Sequence, residues 1–460
     1  NINGGYIMKV EIGNITKAMS KISAFAANEK TATSLMLDIR DDTLRLCYTN
    51  GRKSVIEIVD IETEEGDIKD KIVVNYDIFN SIISACQPTG SIFVREIKME
   101  FTDKANKIIN VKAEKMIAEV ESEDDEIEYR VISVFEQSIS WVKHDENQKV
   151  ARLSRKNYDA IFNKDNIDVW DIEELRKILT NLSIEKGKRI YVSPKNNCAF
   201  VSNTSYMGSM PLEKEIDRST DEDGAKSKYK YAVVVDTSTA REVADILSKI
   251  DADIDEIYMH VEEYKFWHLF TPDGRVGISV DMVDADKNHL KMLKIYQDKG
   301  YKNYQITMNK EVFLNIIKSA IDAGKMDKTV LKFGAFSGEN DTVAIKLTSS
   351  DSNASIKNNY TVACSGCVDV NGDIDKLELP ISLKVTYEIL NLLEEDYIAL
   401  DVHMDEQGIK LRISDIDMSL RNMLGMEKEV EDEDVSSTEF ELKNRSKYLT
   451  TKYYCVSRKE

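Results

Sequence analysis

Met8-Lys9-Val10-Glu11-Ile12 alternates apolar and polar residues as a half-buried strand does. From Ile15 to Phe25 the period changes, and Ile15, Met19, Ile22 and Phe25 fall on one helical face. Three strand-like runs follow, Ser34 to Arg40, Thr43 to Thr49 and Lys53 to Val59. They are separated by Asp41-Asp42 and by Asn50-Gly51, a pair that favours a tight hairpin turn. The pattern predicts one βαβββ module.

The same order restarts five more times. Ile72-Val73-Val74-Asn75 leads into a helix from Tyr76 to Cys86, and Ile167-Asp168-Val169-Trp170 into one from Ile172 to Leu182. Tyr231 to Val235 precedes a helix over Ser238 to Ile250, and Tyr304 to Met308 one over Lys310 to Ala323. In the sixth copy Leu377 to Ile381 is the first strand and Ser382 to Leu393 the helix. Tyr397 to Met404, Gly408 to Ser414 and Met418 to Met426 are its expected last strands. A helix with one apolar stripe and a sheet with one apolar face bury both by packing in pairs, so six modules predict three α+β domains. The expected boundaries are residues 8–128, 166–300 and 301–428, with a linker or insertion over 129–165 and an acidic extension over 429–460. Tyr129 to Val142, inside that linker, is apolar enough to pack, and Tyr448 to Val456 in the extension is a further candidate strand. Residues 1–7 carry no pattern, and Met8 is the expected start.

The length of 460 residues fits about three domains. No run approaches the roughly 20 apolar residues of a membrane span, so no membrane partner is expected. Six cysteines in so long a chain make no disulfide scaffold, which points to a reducing cytoplasm. The formal charge of −20 argues against nucleic acid until its distribution is considered. Cations recur on the module helices: Lys17 and Lys21, Arg176 and Lys177, Arg241 and Lys249, Lys310 and Lys318, then Lys384, with Lys30 just beyond the first helix. On one helix such residues are ordinary solvated positions. Repeated on equivalent helices, they form a locally basic surface on an acidic body.

Met8-Lys9-Val10 with its helix, then Leu44-Arg45-Leu46-Cys47-Tyr48-Thr49-Asn50-Gly51, resembles the opening of the bacterial DNA polymerase III β subunits, the sliding clamps. Gly408-Ile409-Lys410-Leu411-Arg412-Ile413-Ser414-Asp415, closing on Met423-Leu424-Gly425-Met426, is similar to the end of that family. The resemblance implies a head-to-tail homodimeric ring with helices inside and sheets outside. Such a ring encloses double-stranded DNA without reading its sequence, holds a DNA polymerase for processive replication and is placed by a clamp loader. The cations named above would then face DNA. The resemblance also implies a partner-peptide cleft, here matched by Tyr206, Met207, Met292, Leu293, Met423, Leu424 and Met426. Met116, Val120 and Ile321 are the candidates for the dimer contact. The composition, rich in lysine, asparagine and isoleucine, would suit a bacteriophage or an AT-rich genome, and a phage protein would work in its host's cytoplasm.

Rival chemistry finds little support in the sequence. Cys364-Ser365-Gly366-Cys367 has half the ligands of a structural zinc site and no second pair, and it reads as a hairpin turn. The five histidines are scattered, and Thr271-Pro272-Asp273-Gly274 is a turn rather than a phosphate loop. No metal, cofactor or catalytic group is expected, and the protein is not expected to be an enzyme. The alternative of a different class is a scaffold or decoy built from clamp modules that does not encircle DNA.

Overall fold

The computed structural model describes residues 6–27, 34–40, 42–64, 69–101, 107–120, 127–143, 168–183, 187–193, 198–202, 206–211, 233–262, 265–286, 304–322, 328–335, 343–350, 357–364, 378–381, 383–405, 408–423 and 449–457. Module one consists of β1 (Tyr6–Glu11), α1 (Ile12–Ala26), β2 (Ser34–Arg40), β3 (Thr43–Thr49) and β4 (Lys53–Asp60). A short β5 (Glu62–Thr63) follows, pairing with β1. Module two has β6 (Lys69–Asn75), α2 (Tyr76–Cys86), a short β7 (Ile92–Phe93), β8 (Glu96–Phe101), β9 (Ile108–Val120) and β10 (Ile127–Lys143).

Module three has β11 (Asp168–Asp171), α3 (Ile172–Leu182), β12 (Arg189–Ser193), β13 (Cys198–Ser202) and β14 (Tyr206–Pro211). Module four has β15 (Val233–Asp236), α4 (Thr237–Leu247), β16 (Glu256–Glu262), β17 (Phe266–Phe270) and β18 (Val276–Asp281). Module five has β19 (Tyr304–Asn309), α5 (Lys310–Asp322), β20 (Lys328–Ala335), β21 (Val343–Ser350) and β22 (Lys357–Cys364). Module six has β23 (Glu378–Ile381), α6 (Leu383–Leu392), β24 (Tyr397–Asp405), β25 (Gly408–Ile416) and β26 (Leu449–Ser457).

The end of the first strand also starts the helix in several modules. The side chain of Asn75 accepts from the Ile78 N–H at 3.0 Å, Asp171 from Glu174 at 2.8 Å, and Asn309 from Val312 at 3.1 Å, so each occupies an N-cap donor that the helix itself leaves unpaired. In the Asn50–Gly51 hairpin, Asn50 Oδ1 accepts the Arg52 and Lys53 N–H groups, and Gly51 sits at φ +89°, where a side chain would be strained. Thr271 to Gly274 forms the expected turn, closed by the Gly274 N–H to the Thr271 carbonyl at 2.9 Å.

Modules combine by exchanging first strands. β1 joins β8, β9 and β10, while β6 joins β2, β3 and β4. β11 joins β16, β17 and β18, and β15 joins β12, β13 and β14. β19 joins β24, β25 and β26, and β23 joins β20, β21 and β22. All of these ladders are antiparallel. After the exchange each four-stranded ladder draws its first strand from one module and its last three from the other.

The chain divides into two compact units, residues 1–179 with 239–282, and residues 180–238 with 283–460. In the first unit, Leu35, Leu37, Leu44, Leu46, Tyr48 and Val55 form the buried sheet face beneath Ile15, Met19, Ile22 and Phe25 of α1. In the second, α5 packs on α6, with Phe313, Ile317, Ile389 and Leu390 buried.

Two sequence expectations are corrected. Residues 129–143 of the expected linker are not a linker: β10 pairs with β9 from Ile127 to Ser140 and with β6 from Trp141 to Lys143, and it is the last strand of module two. An acidic stretch ahead of it hides the alternation that begins at Tyr129. Nor is Met418 to Met426 the last strand of module six. Residues 418–423 are a helical turn, capped by Asp417 Oδ1 on the Leu420 N–H at 2.8 Å, and Leu424, Gly425 and Met426 lie outside the described residues. The last strand is β26, which falls on the candidate strand Tyr448 to Val456 and completes module six.

Candidate nucleic-acid and partner interfaces

The helix cations divide into those held by the fold and those turned outward. Lys21 is buried in α1, and its Nζ lies 3.2 Å from Glu57 Oε2 on β4, a carboxylate that is buried too. It therefore does not belong to an outward basic face. Glu57 stands opposite Leu46 and Val276, a core-facing register position, and a carboxylate there needs a cation from the overlying helix. Burial pushes the Glu57 carboxyl up to about 8, with Lys21 pulling the other way.

Lys17 is exposed and paired with Asp251 at 2.8 Å. That hydrogen bond raises the lysine pKa and lowers that of Asp251. Lys249 donates to the Ser20 carbonyl at 2.9 Å and to Asp245 at 2.7 Å, and Arg176 binds Glu173 within α3. Lys310 is half-buried and caps the end of α6 through the Leu393 carbonyl at 2.7 Å. Lys177 is half-buried, Arg241, Lys318 and Lys384 are exposed, and Lys30 lies outside the described residues. The same helices expose Asp77, Glu173, Asp245, Glu311 and Asp322. Their outward surface is therefore mixed in sign, and less acidic than the −20 of the whole chain would suggest.

Of the cleft candidates, Tyr206 and Met207 lie in β14, where their backbones pair with Cys455 and Tyr454 of β26. Met423 ends the helical turn after β25 and is exposed. Met292, Leu293, Leu424 and Met426 lie outside the described residues.

The last strands of the modules follow a rule that the sequence did not reveal. β4 of module one pairs antiparallel with β18 of module four, from Val276 opposite Glu57 to Val280 opposite Lys53. β14 of module three pairs antiparallel with β26 of module six. Two last strands remain. β10 has no second neighbour along Ile127–Ser140, and β22 pairs only with β21, among the described residues. Met116 and Val120 lie in β9, which β10 covers along one edge, so the unpaired edge belongs to β10.

Apolar residues cluster on the strands and helices nearest these edges. Tyr129, Val131, Ile132 and Val134 of β10 are each 45–57% exposed, and Phe93 packs edge-on to Tyr129 at 5.5 Å. Val131 and Phe93 flank Met116 in register, which gives one apolar stripe. On the helices of the same two modules, Ile78 of α2 is 48% exposed, as are Val312 (49%) and Ile321 (37%) of α5. Alternation in Tyr129 to Val142 was the signal for the strand. Nothing in the sequence distinguished its solvent edge from a paired one.

At the existing β4–β18 joint, the neighbouring helices also meet. Lys17 and Asn14 of α1 line a small cavity with Ile250 and Asp251, which follow α4. Arg275 forks onto Asp60 at 2.7 and 2.8 Å and holds the Asp60 carboxyl below its usual range, and half-buried Lys53 pairs with buried Glu242. Strand pairing and helix-end contact thus form one joint.

No protein-family model matches the chain, and no curated protein matches it by sequence. Solved structures do match in fold. The DnaN sliding clamp (DNA polymerase III subunit beta) of Pseudomonas aeruginosa aligns with a TM-score of 0.65 at 11% identity, over 99% of this chain and 100% of that one. The DNA polymerase III beta subunit of Thermotoga maritima gives 0.63 at 11% identity, with the same coverage. That of Borrelia burgdorferi gives 0.64 at 10%, over 99% of this chain and 98% of that one. The chain has the sliding-clamp fold along nearly its whole length. Among the described residues no group of three or more His, Cys, Asp or Glu is placed to hold a metal, and no helix is long and apolar enough to cross a membrane.

Proposed function

We propose that the chain is a DNA sliding clamp, without catalytic groups of its own, whose copies close head to tail by pairing β10 of one with β22 of the next. The observation that carries this reading is the pairing rule. Among the described residues, four of the six last strands are joined in twos, and one from each compact unit is left over. Strands with unpaired edges demand a partner, and a heterologous contact that closes on itself leaves none exposed. With six modules per chain, two copies supply twelve helices for the inner wall. Duplex DNA is the enclosed partner, a DNA polymerase and a clamp loader are the protein partners, and the work is done in the cytoplasm of the cell that replicates the DNA. The surface around Tyr206, Met207 and Met423 is where a polymerase peptide would dock. Light scattering at micromolar concentration should give twice 52.4 kDa, and a monomer would overturn the closure.

DNA held by enclosure needs only weak contacts. Changing Arg241, Lys318 and Lys384 to glutamate should leave the dimer intact. It should reduce the slope of log affinity against log salt for short duplexes by about 0.9 per lost phosphate contact. The near balance of charge on the helix faces is what favours the scaffold reading. An unchanged slope together with unchanged processive synthesis would select it.

A further inference from the structure

β26 forms the joint between modules three and six, and among the described residues no tight turn leads into it. It hydrogen-bonds on both sides, antiparallel to β14 over Tyr206–Ser209 and to β25 over Ile409–Ile416, with a register irregularity between Ser414 and Ile416. In the equivalent joint of modules one and four, both strands are fixed by tight turns, Asn50–Gly51 before β4 and Thr271–Gly274 before β18. β26 instead reaches its position through residues 417–448. The chain is anchored as it enters and leaves that connection, where Met418, Leu420 and Leu449 pack with Ala399 and Ile416.

A strand held by main-chain hydrogen bonds along both edges is bound much as an added peptide strand is bound. Its covalent link to β25 keeps it at a high effective concentration, about millimolar order, which masks any exchange. We propose that the slot between β14 and β25 is a strand-accepting site, and that β26 is its exchangeable occupant, replaceable by the same segment from a second copy of this chain. The partner class is an extended peptide that runs antiparallel to both β14 and β25. The site therefore offers a second way to loosen the protein, separate from the joint between copies, and the inference holds whether or not two copies form a ring.

The test uses the full chain with a site-specific protease sequence inserted between Asp434 and Val435. After cleavage of the folded protein, a fluorescent synthetic peptide of residues 446–460 is added in excess, and its uptake is followed by size exclusion. The label should replace the native fragment while circular dichroism stays unchanged, and the uncleaved protein should take up at least about tenfold less. Cys455 lies directly opposite Tyr206 across the β14–β26 ladder, so Tyr206→Cys gives a cross-strand pair that oxidation can lock. The locked, cleaved protein should take up no label until it is reduced. Three results would overturn the proposal: no uptake by a cleaved protein that remains folded, equal uptake by the locked form, or loss of the fold on cleavage, which would mean that no slot survives without its strand.

Discussion

Ile78→Lys combined with Ile321→Lys should convert the protein to a monomer at micromolar concentration without lowering its melting temperature. Ile78 is the third residue of α2, as Asn14 is of α1, and Asn14 lines the cavity at the β4–β18 joint. Ile321 sits in the last turn of α5, as Asp245 and Leu247 do in α4, whose end carries Lys249 and Asp251 to α1. By that equivalence, pairing β10 with β22 of another copy brings Ile78 against Ile321. Both side chains are substantially exposed within one chain, so lysine there costs the monomer little. In the closed contact, two lysines would replace burial worth about 1.5–3 kcal/mol for each apolar side chain, and would add like-charge repulsion. The dimer should weaken by at least about a hundredfold, since 1.4 kcal/mol is a factor of ten. Ile78→Lys with Ile321→Glu should restore it, because the charges then attract across the contact. Sedimentation of both pairs checks this. A lysine pair that stays dimeric would place the contact elsewhere.

Above about pH 8, where Glu57 is ionised, Lys21→Met should be among the most damaging single changes in the chain. It removes the only hydrogen-bond partner found for the Glu57 carboxyl among the described residues, since the other oxygen, Oε1, is buried without one. Once Glu57 is ionised, breaking the buried pair from one side costs about 3–5 kcal/mol, whereas replacing both partners with apolar residues is often close to neutral. Lys21→Met with Glu57→Leu should therefore recover most of the loss. The pH dependence identifies the cause. Glu57 has a folded pKa near 8 against an ordinary 4.5, so its contribution to stability is complete below about 4.5 and is lost as pH rises through 8. Without Lys21 the carboxyl is harder still to ionise. The melting temperature of Lys21→Met should then fall behind the parent by more at pH 9 than at pH 6. A gap independent of pH would mean that the lysine acts through its apolar stem alone.

The module order was legible because each helix has a 3.6-residue apolar stripe and nearly every strand a two-residue alternation, as in Ile15 to Phe25 and Thr43 to Thr49. β10, expected in a linker, and β26, an expected strand not assigned to module six, both follow acidic runs, Glu121 to Glu126 and Glu429 to Asp434, where charge interrupts the rhythm and suggests an end. The turn at 418–423 was misread because Met418, Leu420 and Met423 suit either period over so short a span. Lys21 was assigned to solvent by residue type, although Glu57 at a core-facing strand position already called for a buried cation. The edge at β10 could not be read locally at all, because whether a strand is paired depends on residues far away in the chain. Only the observed ladders, β4 with β18 and β14 with β26, reveal which last strands are left over.

Enclosure of DNA is tested most directly on a nicked circular duplex, with a competent loader supplied. A ring should stay on the circle through high salt, because its retention does not depend on phosphate contacts whose affinity falls steeply as counterions are added. A single cut should release it from the new ends, and bulky proteins bound at those ends should restore retention, on any DNA sequence. If the protein leaves the intact circle as readily as the linear form, it does not encircle DNA, and its six modules serve as a binding scaffold.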